Sequence, residues 1–593
     1  MGNLNFTAID FETATCERSS ICEIGITVVR NSEIISSKSW LVKPPNNEYD
    51  GFNTYIHGIT PAMTKHSPSF SIVWKEVLPY LEENVVVAHN TGFDMYALRD
   101  ALLENDIPFP KFDYYCSYRI ARYAIDNCYS YSLPNVCEAL EIKLDSHHRA
   151  EADSKACAEV VIASILFFCP SIKAQDWPQF LGPDRDSKSP QKGLLRSWPE
   201  EGPEVLWAVE VGVGYGGPVV KNGKAYLLDR DEETGDIMRC FNLQTGEELW
   251  RYSYDAPGDI PFPGSRSVPV VDDRHVYSCG PYGDLYCFDV KTGKPVWQKN
   301  VWTDFGGKTI PLWAISQCPV LYGDLLIVAS QAPEAGVVAY NKQTGDVVWK
   351  TPNLGNESYV SPKILKIHGE DQVVWLTSST NTFQNRDAEV TKGNVVGLDP
   401  HTGKTLWQYS NWDCHISVAC PVVTADNKLL IIGGYERGAT MIQINKKANG
   451  SFDTTELFTT LEFGDQTKPP LYHDGHFYAM YRTNQKRDGL VCMDMEGNIK
   501  WKTGRNPNFD RGSMILADGL LLATDGLKTL YLIEPSPEAF KMISKADVLT
   551  EGGAGEGMAR MGGSTQNWAP IALADGKLLI RDQAKMVCVK VVQ

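Results

Sequence analysis

Two carboxylates stand two residues apart in a run that otherwise reads as a buried strand: Asp10 and Glu12 within AIDFETAT (8–15), among Phe6, Ile9 and Phe11. Side chains at i and i+2 of a strand share a face, so the two acids project together. Unpaired, they would be costly, whereas a hard divalent cation such as Mg²⁺ or Mn²⁺ seeks several carboxylate oxygens at once. More acids are then expected downstream. Asp94 falls in the first turn of a helix that follows the apolar run VVVAHN, and Asp153 opens the last helix of the N-terminal region, five residues after His148. Four acids and a histidine are the inventory of a two-metal phosphodiesterase. Each also has a plainer reading: a solvated strand-end pair, a helix-start Asp that complements the helix dipole, and loop histidines at 147 and 148.

The elements that must position these residues can be read from periodicity. NFTAID, CEIGITVV and SKSWLV are short β-rich runs, and TGFDMYALRDALLEND places Phe93, Ala97, Leu98, Ala101 and Leu102 at helical spacing. SLPNVCEALE and EADSKACAEVVIASILFF are further helices, which makes residues 1–168 an α/β domain with a mixed sheet flanked by helices.

From about residue 177 the helical pattern ends and a phrase recurs: FNLQTGEELW (241–250), CFDVKTGKPVW (287–297), YNKQTGDVVW (340–349) and GLDPHTGKTLW (397–407), with a degenerate CMDMEGNIKW (492–501). Its tryptophans, Trp250, Trp297, Trp349, Trp407 and Trp501, are spaced 47, 52, 58 and 94 residues apart, and the last gap accommodates a weak copy at 441–458. The unit implied is a four-stranded meander with a Thr-Gly turn before its last strand and a Trp between neighbouring sheets, and such units close radially into a propeller. Counting copies predicts an all-β, eight-bladed propeller over 204–593, with 169–203 as linker and lead-in segment. The last copy lacks a closing strand and Trp, and EVLWAVEV (204–211) is expected to supply both.

DFET, HNTGFD and the His-x₄-Asp spacing of His148 and Asp153, in this order, resemble the DEDDh group of 3′-5′ exonucleases, the proofreading-subunit-like branch of the ribonuclease H-like superfamily, over residues 4 to about 168. The resemblance implies hydrolysis of phosphodiester bonds from the 3′ end of a single strand, DNA before RNA. It makes Asp10, Glu12, Asp94 and Asp153 ligands of two Mg²⁺ or Mn²⁺ ions, with Asp10 between them, and His148 the general base. His147 is the rival, but only His148 has the four-residue gap. Thr13, His57 in IHGIT and Asn90 match positions at which the group contacts the terminal nucleotide or supports the site. The repeats resemble the pyrroloquinoline-quinone-like propellers, which include quinoprotein dehydrogenases and an outer-membrane assembly lipoprotein. Quinoenzymes of that group use a disulfide between adjacent cysteines, and no Cys-Cys dipeptide occurs here, which argues against a quinone. A binding scaffold for a protein or a glycan is the expectation for this half.

Composition narrows the partners. The formal net charge is −17, and residues 1–174 carry 14 Lys and Arg against 22 Asp and Glu, a net of −8, which excludes a broad nonspecific nucleic-acid surface but not a narrow site. A few terminal nucleotides held by metals and stacking fit better than a duplex tract. The 15 cysteines include no C-x-x-C pair, as expected of reduced thiols in a reducing compartment, and the N-terminus opens on a strand pattern without a signal-like leader, so a cytoplasmic location is expected. The run at 160–174 looks like a signal-peptide remnant, and it is short of the ~20 apolar residues a membrane span needs. A second reading follows from it: an exported propeller joined to a nuclease by gene fusion or a misjoined reading frame.

Overall fold

The computed structural model describes residues 4–592 except 83, 126, 127, 129, 145, 165–175, 382–388, 484, 485 and 551–565. The chain divides into two compact units, Met1–Lys173 and Ala174–Gln593. The signal-like run at 160–174 falls largely outside the described residues. Among the described residues no helix is long and apolar enough to cross a membrane.

The first unit is a five-stranded mixed sheet: β1 (Phe6–Thr13), β2 (Ile21–Arg30), β3 (Glu33–Leu41), β4 (Val85–Ala88) and β5 (Asp113–Cys116), in the order β3-β2-β1-β4-β5. β1 pairs antiparallel with β2 and parallel with β4, which in turn is parallel to β5. Its helices are α1 (Gly51–His57), α2 (Pro61–Thr64), α3 (Phe70–Leu81), α4 (Thr91–Glu104), α5 (Ser117–Ala124), α6 (Leu133–Ala139) and α7 (Ala150–Ala163).

Alternation along β1 sorts its side chains onto two cores. Ile9 and Phe11 pack with Val73, Trp74 and Val77 of α3 and Ala97, Leu98 and Ala101 of α4. Phe6 and Ala8 face the other way, onto Cys157, Ala158 and Val161 of α7. Asp10 and Glu12 continue this second face at the strand's C-terminal end, where α7 begins. The strand is therefore apolar on both faces except where two carboxylates meet the start of a helix, and that junction is the site.

Among the described residues the second unit contains eight sheets of blade type: six consist of four consecutive strands, a seventh adds Lys188–Ser189 to four consecutive strands, and the eighth is completed from a distant segment. The blades dock through one repeated contact. The indole N–H groups of Trp207, Trp250, Trp297 and Trp349 donate to the turn of the following blade, at the carbonyls of Leu243 (2.9 Å), Val290 (3.2 Å), Lys342 (3.0 Å) and Pro400 (3.0 Å). Each ring lies flat on the glycine of that Thr-Gly or Lys-Thr-Gly turn: a Cβ on Gly246, Gly293, Gly345 or Gly403 would come within 2.4–2.8 Å of it. That contact explains why the turn and the Trp recur together in sequence. In the weak copy, Phe458 takes the role of the Trp against Gly497, and Trp407 departs from the pattern by donating to Gln372 of its own sheet.

The eighth blade closes across the chain. Its three strands, Ala572–Ala574, Lys577–Arg581 and Lys585–Lys590, are completed by Val205–Glu210, which pairs antiparallel with Lys585–Lys590. Residues 176–203 are bound to the same unit: Trp177 bridges Val220, Lys188–Ser189 pairs in parallel with Leu516–Ala517, and Leu194 bridges Val592. A fragment spanning 174–593 should therefore unfold cooperatively, and one beginning at residue 212 should melt well below it because the edge of Lys585–Lys590 is left unpaired and the Gly246 turn loses the ring of Trp207. Coincident thermal transitions by circular dichroism would show that closure carries no stability.

Candidate active site

The four acids predicted from the sequence converge at the C-terminal edge of β1. Carboxylate oxygens of Asp10, Glu12 and Asp153 lie within 4.8 Å of one another. Asp94, in the first turn of α4, is 2 % exposed, and its carboxylate is reached by the backbone N–H of Phe11. Its Oδ1 is buried with no hydrogen-bond partner among the described residues. All four line an open cleft of ≈ 1220 Å³, together with His147, His148, Thr13, His57 and Asn90.

The electrostatics of this cluster are those of charges waiting for a counter-charge. Burial, with Asp94, Glu12 and Asp153 adding to it, drives the Asp10 carboxyl well above the usual carboxylate range. Burial and then Asp153 push Glu12 up to about 8, and burial does the same to Asp94, also to about 8. At neutral pH the set would take up protons rather than stay fully ionised. Divalent cations fit these residues: the donors are all hard oxygens, three of them already converge, and the fourth points an unsatisfied oxygen inward.

Two features that position the acids have no motif in the sequence. Glu23 lies directly across from Glu12 in the β1–β2 register, and it is 1 % exposed. It does not join the cluster, because Arg149 holds it with two hydrogen bonds (2.9 and 2.7 Å) and the Ala150 N–H adds a third (3.1 Å). The clamp ties β2 to the first residue of α7 and so fixes Asp153 three residues on. Gly25, opposite Asp10, allows the same approach: a Cβ there would sit 1.8 Å from the Ala150 carbonyl oxygen. An acid directly across from the Asp-x-Glu pair and a glycine two residues later were the available signals.

The histidines are arranged differently from expectation. The four-residue gap predicts that His148 faces the acids and His147 points away, yet it is His147 whose Nδ1 lies 3.1 Å from Asp153, while His148 contributes its backbone N–H (3.0 Å). Both rings line the cleft and stack on each other at 3.7 Å. The reason is local: His148 takes a left-handed backbone conformation (φ 66°), which folds the loop so that adjacent side chains fall on the same side. The His148 imidazole is half-buried, and burial and then the neighbouring His147 lower its pKa against the pull of Asp153.

Of the softer positions, His57 is buried, and both ring nitrogens are engaged: the Ile59 N–H donates to Nδ1 (3.0 Å), so Nε2 donates to the Thr13 carbonyl (3.1 Å). Asn53, from the same helix, donates to the carbonyls of Thr13 (2.7 Å) and Thr15 (3.0 Å). α1 thus holds the loop that leaves β1. Asn90 is exposed at the start of α4 in the left-handed conformation (φ 62°). Among the cleft residues that no motif marks are Arg18 and the exposed rings of Phe52 (72 %) and Phe93 (44 %); Phe93, at helical spacing with Ala97 and Leu98, faces the cleft and not the core.

Residues 7–161 match the family model described as "Exonuclease", and residues 233–503 match the one described as "Outer membrane protein assembly factor BamB". The first unit therefore contains an exonuclease domain, and the second is a propeller of the BamB and PQQ-like kind. Among curated proteins, "3'-5' exonuclease DinG" of Staphylococcus aureus (strain USA300) is 29% identical over 170 residues, which are 28% of this chain and 19% of that protein. The chain thus spans about a fifth of the length of the curated relatives it matches. Exonuclease X in complex with 5′ overhanging duplex DNA is 25% identical, covers 27% of this chain and 92% of its own, and superposes with a TM-score of 0.23. BamB from Moraxella catarrhalis is 13% identical, with 65% of this chain and 97% of its own covered and a TM-score of 0.41. Quinohemoprotein alcohol dehydrogenase from Comamonas testosteroni is 12% identical, with 71% and 81% covered and a TM-score of 0.46.

The close approach at Gly25 can be tested directly. Gly25→Ala must push the start of α7 off β2, at a cost of about 1–3 kcal/mol for overpacking. Denaturant unfolding of the first unit should show that loss, and an unchanged midpoint would mean that α7, and Asp153 with it, is not seated on the sheet as described.

Proposed function

We propose that this exonuclease domain, joined to a BamB-like propeller, is a metal-dependent 3′-5′ exonuclease acting on single-stranded ends, DNA before RNA, and that the propeller serves it as an accessory binding scaffold. The observation that carries the reading is the convergence of Asp10, Glu12 and Asp153 within 4.8 Å beside the unsatisfied Oδ1 of Asp94. Asp10, Glu12, Asp94 and Asp153 would hold two Mg²⁺ or Mn²⁺ ions, with Asp10 central. When bound, the ions supply Lewis acidity and activate the attacking water.

The chain's own residues do the rest. Neutral His148 accepts the proton of the attacking water at an imidazole nitrogen, and its lowered pKa keeps it unprotonated and competent at neutral pH. His147 holds Asp153 from the second direction. Phe52 and Phe93 offer exposed faces on which terminal bases stack, and Arg18 offers a cation to a phosphate. Thr13, at the end of β1 and fixed by Asn53 and His57, contacts the terminal nucleotide together with Asn90, which lines the same cleft. With Arg18 the one Lys or Arg lining the cleft among the described residues, a few nucleotides of single strand suit it better than a duplex.

Purified protein should release mononucleotides from the 3′ end of single-stranded oligonucleotides with Mg²⁺ or Mn²⁺ and be silent in chelator, with DNA cleaved faster than RNA. Asp10→Ala or Asp153→Ala should lower the rate by several orders of magnitude with the far-UV spectrum retained. Activity near wild type in either variant removes the assignment of the acids.

The histidines provide a separate test. General-base catalysis is typically worth ~10²–10⁴-fold, so His148→Ala should cut turnover by about that factor and His147→Ala much less. The hydrogen bond of His147 to Asp153 favours one competing outcome, a reversed ranking, which would make His147 the base.

A further inference from the structure

The second unit contains a cavity that the exonuclease reading does not use. It has a volume of ≈ 400 Å³ and takes residues from most of the blades. One wall is a cluster of rings: Tyr215, Phe262, Trp313 and Trp568, with centroid distances of 5.5 Å (Tyr215–Trp568), 5.9 Å (Phe262–Trp568) and 5.5 Å (Phe262–Trp313). Three cations, Arg266, Lys468 and Arg511, share the lining and touch residues of this cluster, and no Asp or Glu belongs to the lining.

These cations are not balanced as buried charges normally are. Arg511 is paired with Asp510 (3.0 Å) and lies over the Trp568 ring at 4.7 Å. Arg266 and Lys468 have no carboxylate within ion-pair distance among the described residues. Arg266 donates to the carbonyls of Pro261 (2.6 Å), Phe262 and Trp313, and its Nε remains buried without a partner. Lys468 donates to the carbonyl of Trp568 (2.8 Å) and to Thr467 (3.4 Å). The indole N–H of Trp568 is likewise buried and unsatisfied. Two more buried cations of this unit lack an ion pair among the described residues: Arg185 donates to the carbonyls of Pro319 and Pro362 and to the side-chain oxygen of Gln179 (3.1 Å), and Lys363 donates to the carbonyl of Pro421. Carbonyl oxygens satisfy the N–H donors but do not neutralise the charge; Asp465 acts on Lys468, and Glu232 on Arg266, only from beyond ion-pair distance, and a charge withdrawn from water without a direct partner is expensive. Burial accordingly pushes Lys468 down to about 8 and Arg266 down to about 10.

A cavity lined by a cluster of rings and by two cations that lack an ion pair selects a ligand with a flat ring system and a compact double negative charge. We infer that the cavity binds a 5′-mononucleotide, with the base against the ring cluster and the phosphate at Arg266 and Lys468. A phosphate monoester carries about −1.5 to −2 at pH 7, which matches the two unpaired cations, whereas a monocarboxylate leaves one of them unbalanced. The inference rests on the proposed exonuclease activity only for the origin of such a ligand, which is the product that activity releases.

The test is equilibrium binding to the full chain of dAMP, the nucleoside deoxyadenosine, ribose 5-phosphate and an aromatic carboxylate such as benzoate, followed by calorimetry and tryptophan fluorescence. Excess chelator and Asp10→Asn keep the nuclease site out of the signal. Expected are saturable binding of dAMP with quenching, and binding at least about tenfold weaker for both the nucleoside and the sugar phosphate, since each lacks one half of the contact. Lys468→Gln should weaken dAMP about tenfold, and Trp313→Leu should weaken it in a protein whose melting curve shows it folded. Both variants should retain the wild-type nuclease rate. If Lys468→Gln fails to fold, Arg266→Lys takes its place, which preserves the charge and loses the planar donors. Absence of binding to the wild type, equal affinity for nucleoside and nucleotide, tighter binding of the carboxylate, or indifference to Lys468→Gln would each overturn the inference. None of these results alters the metal-dependent nuclease assay, so the two readings stand or fall separately.

Discussion

The architecture of the first unit answers to one electrostatic constraint: four largely buried carboxylates must be brought to one edge of a sheet against their mutual repulsion. The fold meets this by surrounding the acids with rigid elements. Asp10 and Glu12 are held in a strand paired on both sides, Asp94 in a helix packed on Ile9 and Phe11, and Asp153 in a helix pinned at its first residue. A fifth acid, Glu23, could have added to the repulsion, and Arg149 turns it into the fastening instead. Removing the guanidinium would leave Glu23 buried and unpaired next to Glu12, so the clamp serves both to place Asp153 and to keep the local charge tolerable.

The second unit solves a different problem by repetition. A four-stranded sheet has two faces and two edges to protect, and four of the blades cover a face of the next through a Trp lying on a glycine turn. The same two residue types recur in those copies because the ring approaches where any Cβ would clash. The departures are physical as well: Phe458 preserves the flat contact without the N–H, and Trp407 finds its acceptor within its own sheet.

Periodicity and spacing made much of this legible. The acids of the cleft, the alternation of β1, the number of blades and the closing strand at 205–210 could all be read because each depends on residues close in sequence or on a phrase that repeats. What could not be read depends on contacts between distant positions. Glu23 and Arg149 are 126 residues apart, and neither belongs to a motif. The orientation of His147 turns on the φ of a single residue, which no spacing rule encodes. The cavity of the second unit is assembled from single residues scattered over the blades, so its rings and cations are indistinguishable in sequence from ordinary loop composition.

The closing strand has a consequence for biosynthesis. Val205–Glu210 is synthesised roughly 375 residues before its partner Lys585–Lys590. At about 5–20 residues per second, that interval is on the order of 20–75 s. Throughout it the ring is an open arc with two raw β-edges, while the first unit has long since emerged and has every strand it needs. The nascent chain thus passes through a stage in which one half is complete and the other is committed to waiting. The hazard of that wait, pairing of an open edge with a neighbouring chain on the same message, falls entirely on the propeller.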